Sequence, residues 1–160
     1  MNHNLEMTLS ELLKPALVLA KLPCASKDEL ISKLAAKVYE AGTPLPLSQK
    51  ELLETINTRE QIGGTLLPSG LSLPHARLKG FEDFIIVIAT PAQPLYHDGQ
   101  QIILSAMMIT SQSGGPWYLE VLAALTKMSR NREYFTRLCS TENASDFLKI
   151  LKESDPELAG

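Results

Sequence analysis

The residues with the most chemical potential lie in Gly70-Leu71-Ser72-Leu73-Pro74-His75-Ala76-Arg77. A glycine opens the stretch, a short apolar alternation follows, and a proline stands immediately before a histidine. Pro74 locks its own φ near -65° and pushes Leu73 into extended geometry. The His75 imidazole is thereby presented from a stiff strand end, where a rigid scaffold commonly carries function. On these residues alone, a histidine beside a proline is more often a satisfied structural residue than a catalyst. Other chemistries find less support. His3, His75 and His97 are not spaced as i, i+3 or i+4 and none adjoins a cysteine, so no zinc-type ligand cluster is expected. A Gly-x-Ser-x-Gly elbow is missing, as are both glycine-rich phosphate loops, which removes the usual support for a serine hydrolase or a nucleotide site.

The elements that must position His75 can be read from caps and periodicity. Ser/Thr-x-x-Glu capping boxes occur at Thr8/Glu11, Ser26/Glu29 and Ser48/Glu51. After Ser26, the apolar residues Leu30, Ile31, Leu34, Ala35 and Val38 form one helical stripe, and Gly42 marks its exit. The helix from Ser48 is expected to end near Thr58-Arg59-Glu60. Residues 16–20, 71–73, 84–89 and 102–109 read as strands, and the last two are apolar on both faces, as in a covered sheet. Helices are expected at 117–129, 132–139 and 144–153. In the first of these, Leu119, Leu122, Ala123 and Thr126 are expected on one face, with Val121, Leu125 and Met128 beside it. The loop Tyr96-His97-Asp98-Gly99 reads as polar surface, and the tail after Glu153 as frayed. Together these give a single α/β domain over residues 1–160. Its form is a layered sandwich with a mixed central sheet of about five strands and helices on both faces.

Composition narrows the partners. The 160 residues are 44% hydrophobic and 21% charged, a globular balance, and the net charge of -3 argues against nucleic acid or an acidic membrane as the main partner. No apolar run approaches the roughly 20 residues needed to cross a bilayer. The N-terminus lacks the features of a secretory signal. Cys24 and Cys139 read as small apolar filler in a reduced compartment. A cytoplasmic location without membrane insertion is expected.

Thr58-Arg59-Glu60-Gln61-Ile62-Gly63-Gly64-Thr65, followed by Gly70 to Ala76, resembles the active-site region of enzyme IIA domains of the fructose/mannitol type. These belong to the bacterial phosphoenolpyruvate-dependent sugar phosphotransferase system and include the nitrogen-regulatory members. The resemblance covers nearly the whole chain. It implies that His75 accepts a phosphoryl group from a small histidine phosphocarrier protein, then passes it to a IIB cysteine or uses it as a regulatory signal. In that reading the protein is a phosphotransferase component needing neither cofactor nor metal. The alternative is a regulatory interaction module whose phosphotransfer is slow or vestigial. The residue types suit the first role. Neutral imidazole is a competent nucleophile near pH 7, provided its other ring nitrogen is held by an acceptor.

Arg59 matches the family arginine that lies against the phosphoryl oxygens, a task for which a planar fork is well shaped. Without the resemblance it reads as a solvated charge at a helix C-terminus. Glu60 reads as a salt-bridge or cap partner. Gly63, Gly64 and Gly70 would let backbone N–H groups approach the phosphoryl group closely. Arg77 reads equally as a source of positive potential and as a surface residue. The sequence departs from the family at Tyr118, or at Trp117 if the loop is shifted by one, which stands where a second histidine is usual. A phenol can donate one hydrogen bond but cannot become cationic.

Overall fold

The computed structural model describes residues 6–115, 117–154 and 156–159. His3 and Pro116 therefore lie outside the described residues. Five strands form the central sheet: β2 (Val18–Leu22), β3 (Leu71–Ser72), β4 (His75–Leu78), β5 (Ile85–Pro91) and β8 (Leu104–Ser111). β5 lies antiparallel to β8 and parallel to β2. On the far side of β8, β3 pairs in parallel with Leu104 and Ser105, and β4 with Met108 to Ser111. β3 and β4 are thus two pieces of one edge strand, interrupted at Leu73-Pro74. Proline has no N–H to give to a ladder, which an edge strand tolerates and a central strand does not. The mixed, helix-covered sheet expected from the sequence is present.

Alternation along β5 and β8 divides the core in two. Ile86, Ile88, Leu104, Ala106 and Met108 point to one face, where they meet α4 (Trp117–Arg130), α5 (Arg132–Cys139) and α6 (Ala144–Ser154). Ile85, Val87, Ala89, Met107 and Ile109 point to the other, under α2 (Lys27–Glu40) and α3 (Gln49–Ile62). The expected α2 stripe, Leu30 to Val38, is fully buried. β4 obeys the same alternation. Ala76 and Leu78 go into the α2/α3 layer, so His75 and Arg77 are left facing the side of α4.

Several expectations need correction. The buried face of α4 is Tyr118, Val121, Leu125 and Met128, while Leu119 is 69% exposed and Ala123 also faces solvent. Two adjacent apolar stripes occur on this helix, and periodicity cannot say which one the sheet will take. The described residues after Glu153 continue in regular structure, where a frayed tail was expected. α6 runs to Ser154, and β9 (Glu157–Ala159) pairs antiparallel with β1 (Glu6–Thr8), burying Leu158 to 1% exposure. The loop at 96–99 is the tip of a hairpin between β6 (Leu95–His97) and β7 (Gln100–Ile102). Asp98 and Gly99, at φ 50° and 79°, form its left-handed turn, and Leu95 and Ile102 anchor it in the core.

Boundaries also moved. The strand expected at 16–20 begins only at Val18, because Pro15 to Leu17 wind into a 3-10 turn (η1). Residues 102–109 divide at Ile103 between β7 and β8. The boxes at Thr8, which opens α1 (Leu9–Leu12), and at Ser48 are complete. At Ser26 only half forms, because the Glu29 carboxylate reaches the N–H of Ala25 and the Lys33 ammonium instead. Cys139 is buried, which pushes its thiol up to about 12, and Cys24 is likewise raised, mainly by burial. Both are poor nucleophiles there. Among the described residues no helix is long and apolar enough to cross a membrane.

Candidate functional site

His75 opens β4 directly after the Pro74 break and is 8% exposed. Its Nδ1 lies 3.3 Å from the carbonyl oxygen of Leu73. A carbonyl can only accept, so Nδ1 carries the proton and Nε2 keeps its lone pair. The ring pKa is lowered from 6.5, mainly by burial. The Leu73 hydrogen bond opposes that shift; Arg59 and Arg77 add to it and Glu60 works against it. The imidazole is therefore held neutral around pH 7 with one nitrogen available.

That imidazole lines a cleft of about 300 Å³ shared with Thr55, Arg59, Ala76, Arg77 and Tyr118. Three elements build it. α3 places Thr55 and Arg59 one turn apart on the face packed against β4. The Arg59 guanidinium donates to the Gly63 carbonyl at 3.0 Å, which caps the helix end and fixes the direction of the side chain. This helix runs to Ile62, past the end expected at 58–60. β4 supplies His75 and, two residues later on the same side, Arg77. α4 supplies Tyr118, whose ring centroid is 5.5 Å from that of His75 at a tilt of 53°. The Arg77 guanidinium sits over the Tyr118 ring, 5.1 Å from its centroid.

Arg59 and Glu60, adjacent in sequence, serve different places because neighbours on a helix diverge by about 100°. Glu60 turns toward α2. Its carboxylate pairs with the Lys27 ammonium at 2.8 Å and accepts from the Thr65 hydroxyl at 2.8 Å. Among the described residues no carboxylate lines the His75 cleft, and the charged side chains that do are the guanidiniums of Arg59 and Arg77. Such a cleft attracts a dianionic group and offers it a neutral nitrogen nucleophile.

The three residues His75, Arg59 and Tyr118, singled out from the sequence, are thus brought together. The glycines are not placed as expected. Gly70, at φ +92°, packs against Ile103, its N–H donates to Leu67, and its carbonyl accepts from Ile103 and Leu104. It shapes the start of β3 rather than the cleft. Gly63 and Gly64 are exposed outside the cleft lining. His97 lies half-exposed on the hairpin beside Asp98, away from His75. Sequence reasoning missed Thr55 and left Arg77 undecided. Their signals were spacing alone, four residues before Arg59 and two after His75. Lys27 gave no signal, since its partner lies on another helix. Among the described residues no group of three or more His, Cys, Asp or Glu side chains is placed to hold a metal ion.

Comparison with known proteins gives one family. Residues 11–154 match the family model described as the phosphoenolpyruvate-dependent sugar phosphotransferase system, EIIA 2. A nitrogen regulatory protein of Bradyrhizobium diazoefficiens is 24% identical over 148 residues, spanning 91% of this chain and 95% of that protein. The crystal structure of the nitrogen regulatory protein IIA-Ntr from Neisseria meningitidis superposes with a TM-score of 0.77 at 21% identity, covering 89% of this chain and 98% of that one. The mannitol enzyme IIA of Escherichia coli, solved in complex with its phosphorylated enzyme IIB, superposes with a TM-score of 0.70 at 16% identity, covering 88% and 97%.

Proposed function

Because the chain belongs to the EIIA 2 family of the sugar phosphotransferase system, we propose that it is a phosphocarrier that holds its phosphoryl group on Nε2 of His75. The observation that carries this reading is the Nδ1–H to Leu73 hydrogen bond, which leaves Nε2 free beside two guanidiniums. The donor is a small histidine phosphocarrier protein. In the transfer, the Nε2 lone pair of His75 forms a bond to phosphorus while the donor's N–P bond breaks, and the donor imidazole leaves with that electron pair. No proton has to move, since Nδ1–H stays on the Leu73 carbonyl throughout. Arg59 takes the phosphoryl oxygens as charge builds on them, and chemistry of this kind depends mostly on such positioning. Tyr118 closes the cleft as a neutral wall. The product N–P bond is labile, which suits onward transfer to a IIB cysteine or use of the charge as a signal.

Regulation has its own support in the names of the nitrogen regulatory relatives. Phosphorylation would place about -1.5 to -2 charges in a cleft whose fixed charges are two guanidiniums, offsetting its local positive charge and so changing partner choice. The test is incubation with phosphoenolpyruvate, enzyme I and the phosphocarrier protein. An acid-labile adduct is expected on the wild type and absent from His75→Ala. An adduct that survives His75→Ala, or none on the wild type, overturns the assignment. A pull-down with wild type, His75→Ala and His75→Asp then addresses regulation: target binding indifferent to all three removes the switch.

A further inference from the structure

Arg77 is exposed at its outer flank, yet its guanidinium is not free in solvent. It lies 5.1 Å from the centroid of the Tyr118 ring, and Gly114 runs close beside both, so that an added Cβ would stand 3.9 Å from the guanidinium carbon and 4.0 Å from the ring. Gly114 itself adopts φ +93°, a conformation that suits glycine and lets the loop pass this close. Arg77 is on the same strand face as His75, lines the same cleft, and lowers the His75 pKa through space. Tyr118 is itself packed against His75, with the ring centroids 5.5 Å apart. One aromatic ring therefore touches both the nucleophile and the cation.

We propose that Arg77, stacked on Tyr118, is a second phosphoryl-binding cation of the cleft, and that Tyr118 acts as a positioning residue for it rather than as an acid or a charge. The inference rests on the phosphocarrier reading of His75. The ring face of a tyrosine carries negative quadrupole density and holds a guanidinium without neutralising it. Held in this way, Arg77 keeps N–H groups for phosphoryl oxygens. A histidine at the position of Tyr118 would provide positive charge only when protonated. The Arg77–Tyr118 pair does not rely on such a protonation, so on this chain's side phosphoryl acceptance follows the ionisation of His75. The groups acting on that ionisation are Arg59 and Glu60 from α3 and Arg77 from β4, with Tyr118 of α4 in contact.

The experiment measures phosphoryl transfer from the phosphorylated carrier protein to this chain, as kcat/KM, across roughly pH 5 to 8. Folding of each variant is checked by circular dichroism. Arg77→Ala is expected to lower kcat/KM on the order of ten- to a hundredfold, with partial recovery in Arg77→Lys. Tyr118→Leu, which keeps an apolar wall but removes the ring face, is expected to lower it as well. The double variant should be no worse than Arg77→Ala alone, because the two act as one unit. Tyr118→His should add to the profile an ionisation that the wild type lacks. Transfer to Arg77→Ala within twofold of the wild type, or losses that simply multiply in the double variant, overturns the inference. A wild type that forms no His75 adduct overturns instead the reading beneath it, so the two failures are distinguishable.

Discussion

Replacing Lys27 by methionine should destabilise the protein far more than its one ion pair suggests, and in a pH-dependent way. The Lys27 and Glu60 side chains are 7% and 8% exposed, and their charged atoms are 2.8 Å apart. At an effective dielectric near 20, that separation corresponds to about 6 kcal/mol of attraction, most of which offsets the cost of removing both charges from water. Deleting the ammonium leaves the carboxylate with the Thr65 hydroxyl and no cation. The expected loss is about 3–4 kcal/mol, the lower part of the range for breaking a buried pair. A ceiling comes from protonation: an ordinary glutamic acid, with a pKa near 4.3, can be neutralised at pH 7 for about 3.7 kcal/mol. At pH 5 the same escape costs only about 1 kcal/mol. The defect should therefore shrink by most of its size between those two pH values. Urea unfolding followed by circular dichroism reads this directly. With a slope of about 2 kcal/mol per molar, the midpoint of Lys27→Met should fall by roughly 1.5–2 M at pH 7 and much less at pH 5. Lys27→Met combined with Glu60→Leu should return close to the wild type, since replacing both charges of a buried pair is nearly neutral. A single variant that loses less than about 1 kcal/mol at pH 7, or a double variant as unstable as the single, would refute the reasoning.

Three further outcomes are expected. Gly70→Ala combines a φ of +92° with a Cβ placed 2.7 Å from two atoms of Ile103, and should cost about 2–4 kcal/mol in thermal or urea unfolding. Gly80→Ala, at φ +78° with nothing within 4 Å, should show only the backbone share of that loss, about 1–2 kcal/mol. The His75 ring, followed by NMR, should titrate below its ordinary 6.5, and Arg59→Ala should move the midpoint upward, since that cation helps to depress it. Because the unfolded chain then takes up the proton first, this group's contribution to stability is complete above 6.5 and declines as pH falls through the folded-state value. His75→Gln should abolish that dependence; an unaltered one would count against it. Leu158→Ala should cost about 2–5 kcal/mol in urea unfolding, because its side chain is 1% exposed against α4, whereas a frayed tail would show no effect.

The parts of this fold that could be read from sequence are those specified locally. The α2 stripe, the Ser48 box and the doubly apolar strands β5 and β8 each contain their own signal within one turn or one strand. So did the pairing of proline with histidine, since Pro74 interrupts an edge strand and His75 restarts it. Readings failed where the deciding contact was distant. Leu119 and Val121 are equally apolar, and only the sheet beneath α4 chooses Val121. Nothing near Glu157 announces that residues 6–8 will come to pair with it. In the site, Arg59 was legible through a motif and Glu60 as a salt-bridge partner, but which cation it pairs with was not, because Lys27 belongs to another helix. Arg77 was undecidable for a related reason: its role depends on a ring forty-one positions away. The Asp98-Gly99 turn is different. Its signal was present in the sequence and was read as a loop.

The pairing of β1 with β9 has a consequence for how the molecule can be re-cut. Glu6 stands opposite Ala159, and Leu9 donates to the carbonyl of Pro156, so these two segments are stitched to one another. A short polar bridge from residue 159 to residue 6 would make the polypeptide a ring without displacing any core side chain. Fresh ends could then be opened at the Asp98-Gly99 hairpin tip, which belongs to neither β4 nor α4 and leaves the His75 cleft untouched. The order in which the elements are synthesised is separable from the architecture that presents the imidazole.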